Sequence, residues 1–217
     1  MYFRHEKMYL HQTPRLIRAL GTDFFWRIPT EEKEVFLTFD DGPTPIITEK
    51  VLDLLKQFQA KATFFCIGKN VDNHPQLFQR ILDEGHQVGN HTQNHRNGWK
   101  TGYAQYLRDV LTAKKNNPSP LFRPPYGQIS RTQTKALLKH YSIIMWDVLT
   151  GDFDATMSVE TCINKVLQLT KPGSIIVFHD SLKASPILLQ ALPVVLESLQ
   201  KKGYQFSSIQ THHVRRS

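Results

Sequence analysis

The sequence predicts an α/β fold built on a parallel sheet of about seven strands. Seven short apolar runs are spaced along the chain, and amphipathic helical patterns lie between them. Polar residues able to do chemistry also recur just after the apolar runs, at the strand ends where sites form in such folds. Two architectures satisfy this pattern: an open doubly wound sheet, and a barrel left incomplete by having seven strands rather than eight.

The elements follow in order. A basic, irregular lead-in covers residues 1–34. The first strand is Val35–Phe39, followed by Asp40-Asp41 and the sharp turn Gly42-Pro43. Thr44 suits a helix N-cap, and Pro45 suits the first helical position. Ile47, Val51, Leu54, Leu55 and Phe58 then recur at helical spacing. Ala62–Ile67 is the second strand. Pro75 opens a helix carrying Leu77, Phe78, Ile81 and Leu82, and Gly85 is placed to end it in a left-handed cap. Gln87–Asn90, Leu121–Arg123, Ile143–Trp146 and Ser174–His179 are further strands. A last helix carries Leu188, Leu189, Leu192, Val195, Leu196 and Leu199, with Pro193 expected to kink it and Gly203 to close it. Tyr204–Ser207 is the seventh strand.

Composition bounds the reading. The chain has 217 residues, of which 40% are hydrophobic, which suits one large α/β domain or two small ones. Two cysteines, Cys66 and Cys162, are too few for a disulfide framework and read as buried thiols. The formal net charge is +8, but Lys and Arg look scattered along the chain. The densest basic patch is the tail Val214-Arg215-Arg216-Ser217, and no nucleic-acid-binding motif is present. No segment approaches the roughly 18 apolar residues of a membrane span. The apolar stretch Leu16–Leu20 is interrupted by Arg18, so no secretory signal is recognised. The expectation is a cytoplasmic protein, monomeric by default, with neither nucleic acid nor membrane as partner.

Five of the seven expected strand ends carry acids, histidines or an arginine: Asp40-Asp41, His91 through His95, Arg123, Trp146-Asp147 with Asp152 beyond, and His179-Asp180. Adjacent acids such as Asp40 and Asp41 repel, and a fold tolerates that where a cation separates them or one has a chemical task. His91 and His95 are four apart, so a helical turn would put both on one face to grip a metal. With a strand-end carboxylate they form a two-His, one-carboxylate set that leaves coordination positions open. Zinc is the default for such a set, and iron, cobalt or nickel would also accept it. Arg123, backed by two prolines, could orient a carboxylate through two parallel hydrogen bonds. His179, at a strand end and followed by Asp180, suits a proton donor in a cleft. Trp99 and Tyr126 could line a sugar cleft.

These residues resemble the polysaccharide deacetylase family, also called the NodB homology domain or carbohydrate esterase family 4. Its ordered motifs correspond to Thr38-Phe39-Asp40-Asp41-Gly42-Pro43, His91-Thr92-Gln93-Asn94-His95, Arg123-Pro124-Pro125-Tyr126-Gly127, Trp146 through Phe153, and Ile175 through Asp180. The resemblance implies a distorted (β/α) barrel with about seven parallel strands over residues 35–210, between the lead-in and a basic tail at 211–217. It implies removal of N-acetyl or O-acetyl groups from a sugar polymer or oligosaccharide. It further implies one divalent metal on Asp41, His91 and His95, Asp40 as general base and His179 as general acid. Arg123 would orient Asp40, and Asp152 would join the same charge network. The Tyr126 backbone N–H would help hold the oxyanion, and Phe153 would wall the sugar. Where the family often has an aspartate and a tryptophan in the fourth motif, this chain has Leu149 and Phe153. Two other readings of the same residues are an amidase acting on a small non-sugar amide and an inactive carbohydrate-binding relative.

Overall fold

The seven apolar runs become strands, and two strands that the runs did not announce join them. The computed structural model describes residues 23–214. The Leu16–Leu20 stretch and the last three residues of the basic tail therefore lie outside the described residues. The strands are β1 (Phe24–Phe25), β2 (Glu34–Asp40), β3 (Ala62–Cys66), β4 (Gln87–Asn90), β5 (Leu121–Phe122), β6 (Ser142–Ile144), β7 (Val148–Leu149), β8 (Ile175–His179) and β9 (Gln205–Phe206). The unannounced pair, β1 and β7, have two residues each, too short for any alternation to show.

Eight strands pair in parallel in the order β1-β6-β5-β4-β3-β2-β8-β7. The ninth, β9, pairs with the first residues of β2, Glu34 and Val35. Among the described residues the path does not close between β7 and β1, and the architecture is a distorted (β/α) barrel of the half-open kind, not a doubly wound sheet. The connections carry α1 (Ile47–Gln57), α2 (Gly68–Asn73), α3 (Pro75–Asp83), α4 (Tyr103–Lys114), α5 (Arg131–Leu137), α6 (Val159–Leu169) and α7 (Ser185–Lys201). None of the described helices is long and apolar enough to cross a membrane.

Helix boundaries follow local chemistry. Pro75 occupies the start of α3, and Gly85 takes a φ of 75° just past its end, as the sequence predicts. The first helix starts later than the Thr44-Pro45 signal suggests. Ile46 has a φ of 69°, which interrupts the helical path, so Thr44 and Pro45 form a turn before α1. Thr48 closes that turn, its hydroxyl accepting the Thr44 N–H at 2.7 Å. The last helix, α7, continues as one element through Pro193, where the missing N–H leaves the Leu189 carbonyl without its helical donor.

Strand alternation sorts the core and aims the site. Val35, Leu37 and Phe39 of β2 are fully buried against the helical layer, together with Ile176 and Phe178 of β8. Phe36 and Ile175 point the other way, into a smaller core with Phe65, Leu121 and Ile144. Side chains two apart share a face. Thr38 and Asp40 therefore follow Phe36 to the inner side, and His179 follows Ile175. The register pairs Asp40 directly with His179.

One expected strand end departs from the rule. The strand expected at Ile143–Trp146 ends at Ile144, and Asp147 begins the approach to β7. The Asp147 N–H donates to Ile175 O, and its carboxylate accepts from the Ser174 hydroxyl at 2.8 Å and faces Arg27 at 3.2 Å. Those partners sit at the start of β8, about 13 Å along the strand from His179. Asp147 thus serves the opposite end of the barrel, and Asp152, beyond β7, reaches the site.

Candidate metal and active site

Asp40 and Asp41 diverge although they are neighbours. Asp40 ends β2 facing inward, and Asp41 takes a φ of 85°, which swings its side chain away. That left-handed turn is fastened from three sides. The Asp41 carbonyl accepts from Asn70 Nδ2 at 2.7 Å, the Gly42 N–H donates to Asp180 Oδ1 at 3.0 Å, and the Thr48 hydroxyl donates to Asp180 Oδ2. Asp180 is therefore a buried brace for the turn, held between β8 and α1. Burial and the nearby Asp41 charge push its carboxyl up to about 7, against the opposing hydrogen bonds from Thr48 and Gly42.

Asp41 meets His91 and His95. Their ligand atoms all lie within 4.8 Å of one another. Asp41 Oδ1 is 3.1 Å from His95 Nε2 and 3.7 Å from His91 Nε2, yet it is buried with no hydrogen bond of proper geometry among the described residues. His91 Nδ1 lies 2.7 Å from the Arg123 carbonyl, which accepts its proton and leaves the Nε2 lone pair facing Asp41. Two electron-rich atoms thus converge on one another, an arrangement that a bound cation would satisfy. Burial pushes His91 down to about 4, past the opposing pull of Asp40. Burial would raise Asp41, but the His95 contact and the charges of His179 and His91 outweigh it and hold the carboxyl well below the usual range.

The two histidines meet through a loop and not through the helical turn that their spacing suggested. Residues 91–97 contain no helix, and Thr92 and His95 have φ values of 62° and 53°. Polar side chains hold this loop. Asn90 accepts from the Thr92 N–H at 2.8 Å and donates to Val110 O. Asp109 on α4 accepts from the Asn94 N–H at 2.9 Å, the Asn94 amide and Arg96 Nε.

Arg123 is fully buried and spends its donors singly. One nitrogen, Nη1, reaches both Asp40 Oδ1 and the Thr38 hydroxyl at 2.7 Å, while Nε and Nη2 donate to the carbonyls of Ile144 and Met145. Its guanidinium stacks over Phe65 at 4.1 Å. The two parallel bonds expected to Asp40 are thus replaced by one, because strand-end carbonyls take the other half of the fork. The result still fixes Asp40 by a buried ion pair.

His179 faces the same cleft from β8. Asp152 accepts from its backbone N–H at 2.7 Å and sits 2.8 Å from Nδ1, leaving Nε2 for the cleft. Burial would lower this imidazole, but Asp152, with help from Asp41 and Asp40, carries it up to about 9. The Phe153 ring meets His179 edge-on at 5.0 Å. Tyr126 has a φ of 61°, packs on His95 at 4.7 Å and remains 60% exposed. Leu149 is a buried residue of β7.

The structure therefore gathers Asp40, Asp41, His91, His95, Arg123, Asp152, Phe153, Tyr126 and His179 in one region. The sequence reading missed the braces Thr38, Thr48, Asn70, Asn90 and Asp109. Each is a lone polar residue on a strand, helix or loop, and spacing alone does not reveal its partner.

Comparison with known proteins gives the setting. The polysaccharide deacetylase family profile matches residues 27–142. A peptidoglycan-N-acetylglucosamine deacetylase of Bacillus cereus is 38% identical over 192 residues, which cover 85% of this chain and 90% of the relative. A chitooligosaccharide deacetylase of Bradyrhizobium sp. is 32% identical, covering 83% of this chain and 91% of its own. The crystal structure of the Bc1960 peptidoglycan N-acetylglucosamine deacetylase with 4-naphthalen-1-yl-N-oxidanyl-benzamide superposes with a TM-score of 0.84 at 33% identity. It covers 92% of this chain and 96% of that one.

Proposed function

The chain belongs to the polysaccharide deacetylase family, and from that premise we propose that it hydrolyses N-acetyl groups from the sugars of a glycan with the help of one bound divalent cation. The observation that carries the reading is the divergence of Asp40 and Asp41 into separate environments. Asp41, with His91 and His95, would hold the cation, with zinc the default for this ligand set. When bound, it supplies Lewis acidity that makes water a competent nucleophile near neutral pH.

The remaining steps belong to the protein. Arg123 occupies Asp40 Oδ1, so Oδ2 takes the proton from water as it attacks the acetyl carbon. The Tyr126 backbone N–H, presented by its left-handed conformation, donates to the oxygen on which charge develops. His179, protonated at neutral pH beside Asp152, delivers its Nε2 proton to the amine nitrogen as the C–N bond breaks. Acetate and a free amino sugar leave. Phe153 and Tyr126 would flank the sugar ring.

The test is acetate release from N-acetylated oligosaccharides, with metal counted and a chelator added. Release should require about one metal per chain and stop with chelator. Asp40→Asn should retain the metal and lose two to four orders of magnitude in rate, roughly the contribution of a general base. An Asp40→Asn variant that stays active would overturn the assignment.

A further inference from the structure

The cations are not scattered. Residues 96–140 hold nine of the 27 Lys and Arg and only one of the 19 Asp and Glu, so this stretch carries the whole excess of +8 and the rest of the chain balances. Reading along the chain hides this, because the nine are spread over 45 residues. Folding gathers them. The stretch forms α4, β5 and α5, and the two helices pack together on the flank of the barrel beside the His91–His95 loop. Arg123 is neutralised by Asp40, and Arg96 by the single acid, Asp109. Lys100, Arg108, Lys115, Arg131, Lys135 and Lys139 remain exposed.

The flank is continuous with the site. Trp99 lies four residues beyond His95 and is 67% exposed, yet its indole N–H is fixed to Ile129 O at 3.0 Å. The Gly98 N–H donates to Gln128 O, two residues after Tyr126. Gln133 of α5 donates to the carbonyls of Gly98 and Thr101, tying the Trp99 turn to both helices. Next to that turn, Tyr103, Thr132, Lys135, Ala136 and Lys139 line an open groove of about 430 Å³.

We propose that this groove and the cationic flank around it are a secondary binding site for a glycan strand that carries carboxylate or phosphate groups, so that the enzyme acts on an acidic glycan in preference to a neutral one. The proposal rests on the deacetylase reading and supplies its substrate class. The reacting sugar sits beside Tyr126. A sugar further along stacks on Trp99, whose ring is held in place by its own hydrogen bond. Anionic substituents beyond it pair with Lys135 and Lys139. The absence of a surface acid within residues 96–140 leaves those ammonium groups free of competing local partners from that stretch. A neutral glycan would leave them merely hydrated and gain nothing from them.

The experiment uses the metal-loaded full chain and two substrates of equal length: a neutral N-acetylglucosamine oligomer and a peptide-free peptidoglycan strand with its lactyl carboxylates. The wild type should favour the acidic strand, and that advantage should shrink as salt rises. Lys135→Gln/Lys139→Gln should lower kcat/KM for the acidic strand by about tenfold, chiefly through KM, and leave the neutral oligomer unchanged. Equal effects on both substrates, or on neither, overturn the proposal. Fluorescence anisotropy with labelled strand separates the two readings. Salt-sensitive binding that the double variant weakens, without acetate release, sustains the acidic-strand site and rejects the deacetylase reading. A single-stranded oligonucleotide that binds more tightly than the acidic strand overturns the choice of partner, and esterifying the carboxylates without loss of affinity does the same.

Discussion

At the scale of single residues, the site works by giving like groups unlike surroundings. Asp40 and Asp41 share a peptide bond, but one faces a buried guanidinium and the other two imidazoles. His91 and His179 are both buried histidines, yet the first is held at about 4 and the second at about 9. Burial lowers both; at His91 it prevails over the pull of Asp40 and Asp41, whereas at His179 the Asp152 carboxylate on Nδ1 outweighs it. Asp152→Asn should expose this. The amide cannot stabilise an imidazolium, so His179 falls back toward its ordinary value. Because the acid form is the active one, the basic limb of the rate profile, where the proton is lost as pH rises, should move to lower pH. Rates at neutral pH should drop about 10- to 100-fold. A pH–rate profile for both proteins measures it, and an unmoved basic limb would remove Asp152 from this role. The adjacent acids, the His-x-x-x-His spacing and the arginine before two prolines were legible because each is a compact sequence pattern. Asp109 was not, and Asp180 was legible as a strand-end acid but not as a brace, since a single buried acid acquires that role only from the backbone N–H groups it meets in the fold.

At the scale of elements, strand length alone did not decide legibility. The strands β2, β3 and β8, with five to seven residues, were evident as apolar runs, and so were the two-residue β5 and β9, whereas the equally short β1 and β7 were not. The loop carrying His91 and His95 was misread as a helical turn because identical spacing arises from two left-handed residues, Thr92 and His95. A second buried histidine shows how one element depends on pH. His86, before β4, accepts the Ala62 N–H of β3 through Nδ1 at 3.2 Å, and burial lowers it to about 4. The folded protein therefore resists protonating a group that the unfolded chain protonates below about 6.5. Stability is intact above that pH and is lost as pH falls toward 4, by at most about 3 kcal/mol from this group. His86→Gln should flatten that part of the curve in urea unfolding at pH 7, 5.5 and 4. An unchanged slope would place the acid sensitivity elsewhere.

At the scale of the molecule, a cation bound by Asp41 after β2 and by His91 and His95 after β4 should tie those two strand ends together. Saturating zinc, at about 100 times its Kd, would stabilise the fold by about 2.7 kcal/mol and raise Tm by roughly 5–10 °C. Calorimetry should show the rise, a chelator should reverse it, and His91→Ala/His95→Ala should abolish it. A rise that persists in that variant would mean zinc binds elsewhere. The open barrel has a second effect at this scale. Long exposed sheet sides recruit strands from other molecules. Among the described residues the pairing path ends in β1, Phe24–Phe25, and β7, Val148–Leu149. Two residues offer too short a template for an incoming strand to gain register.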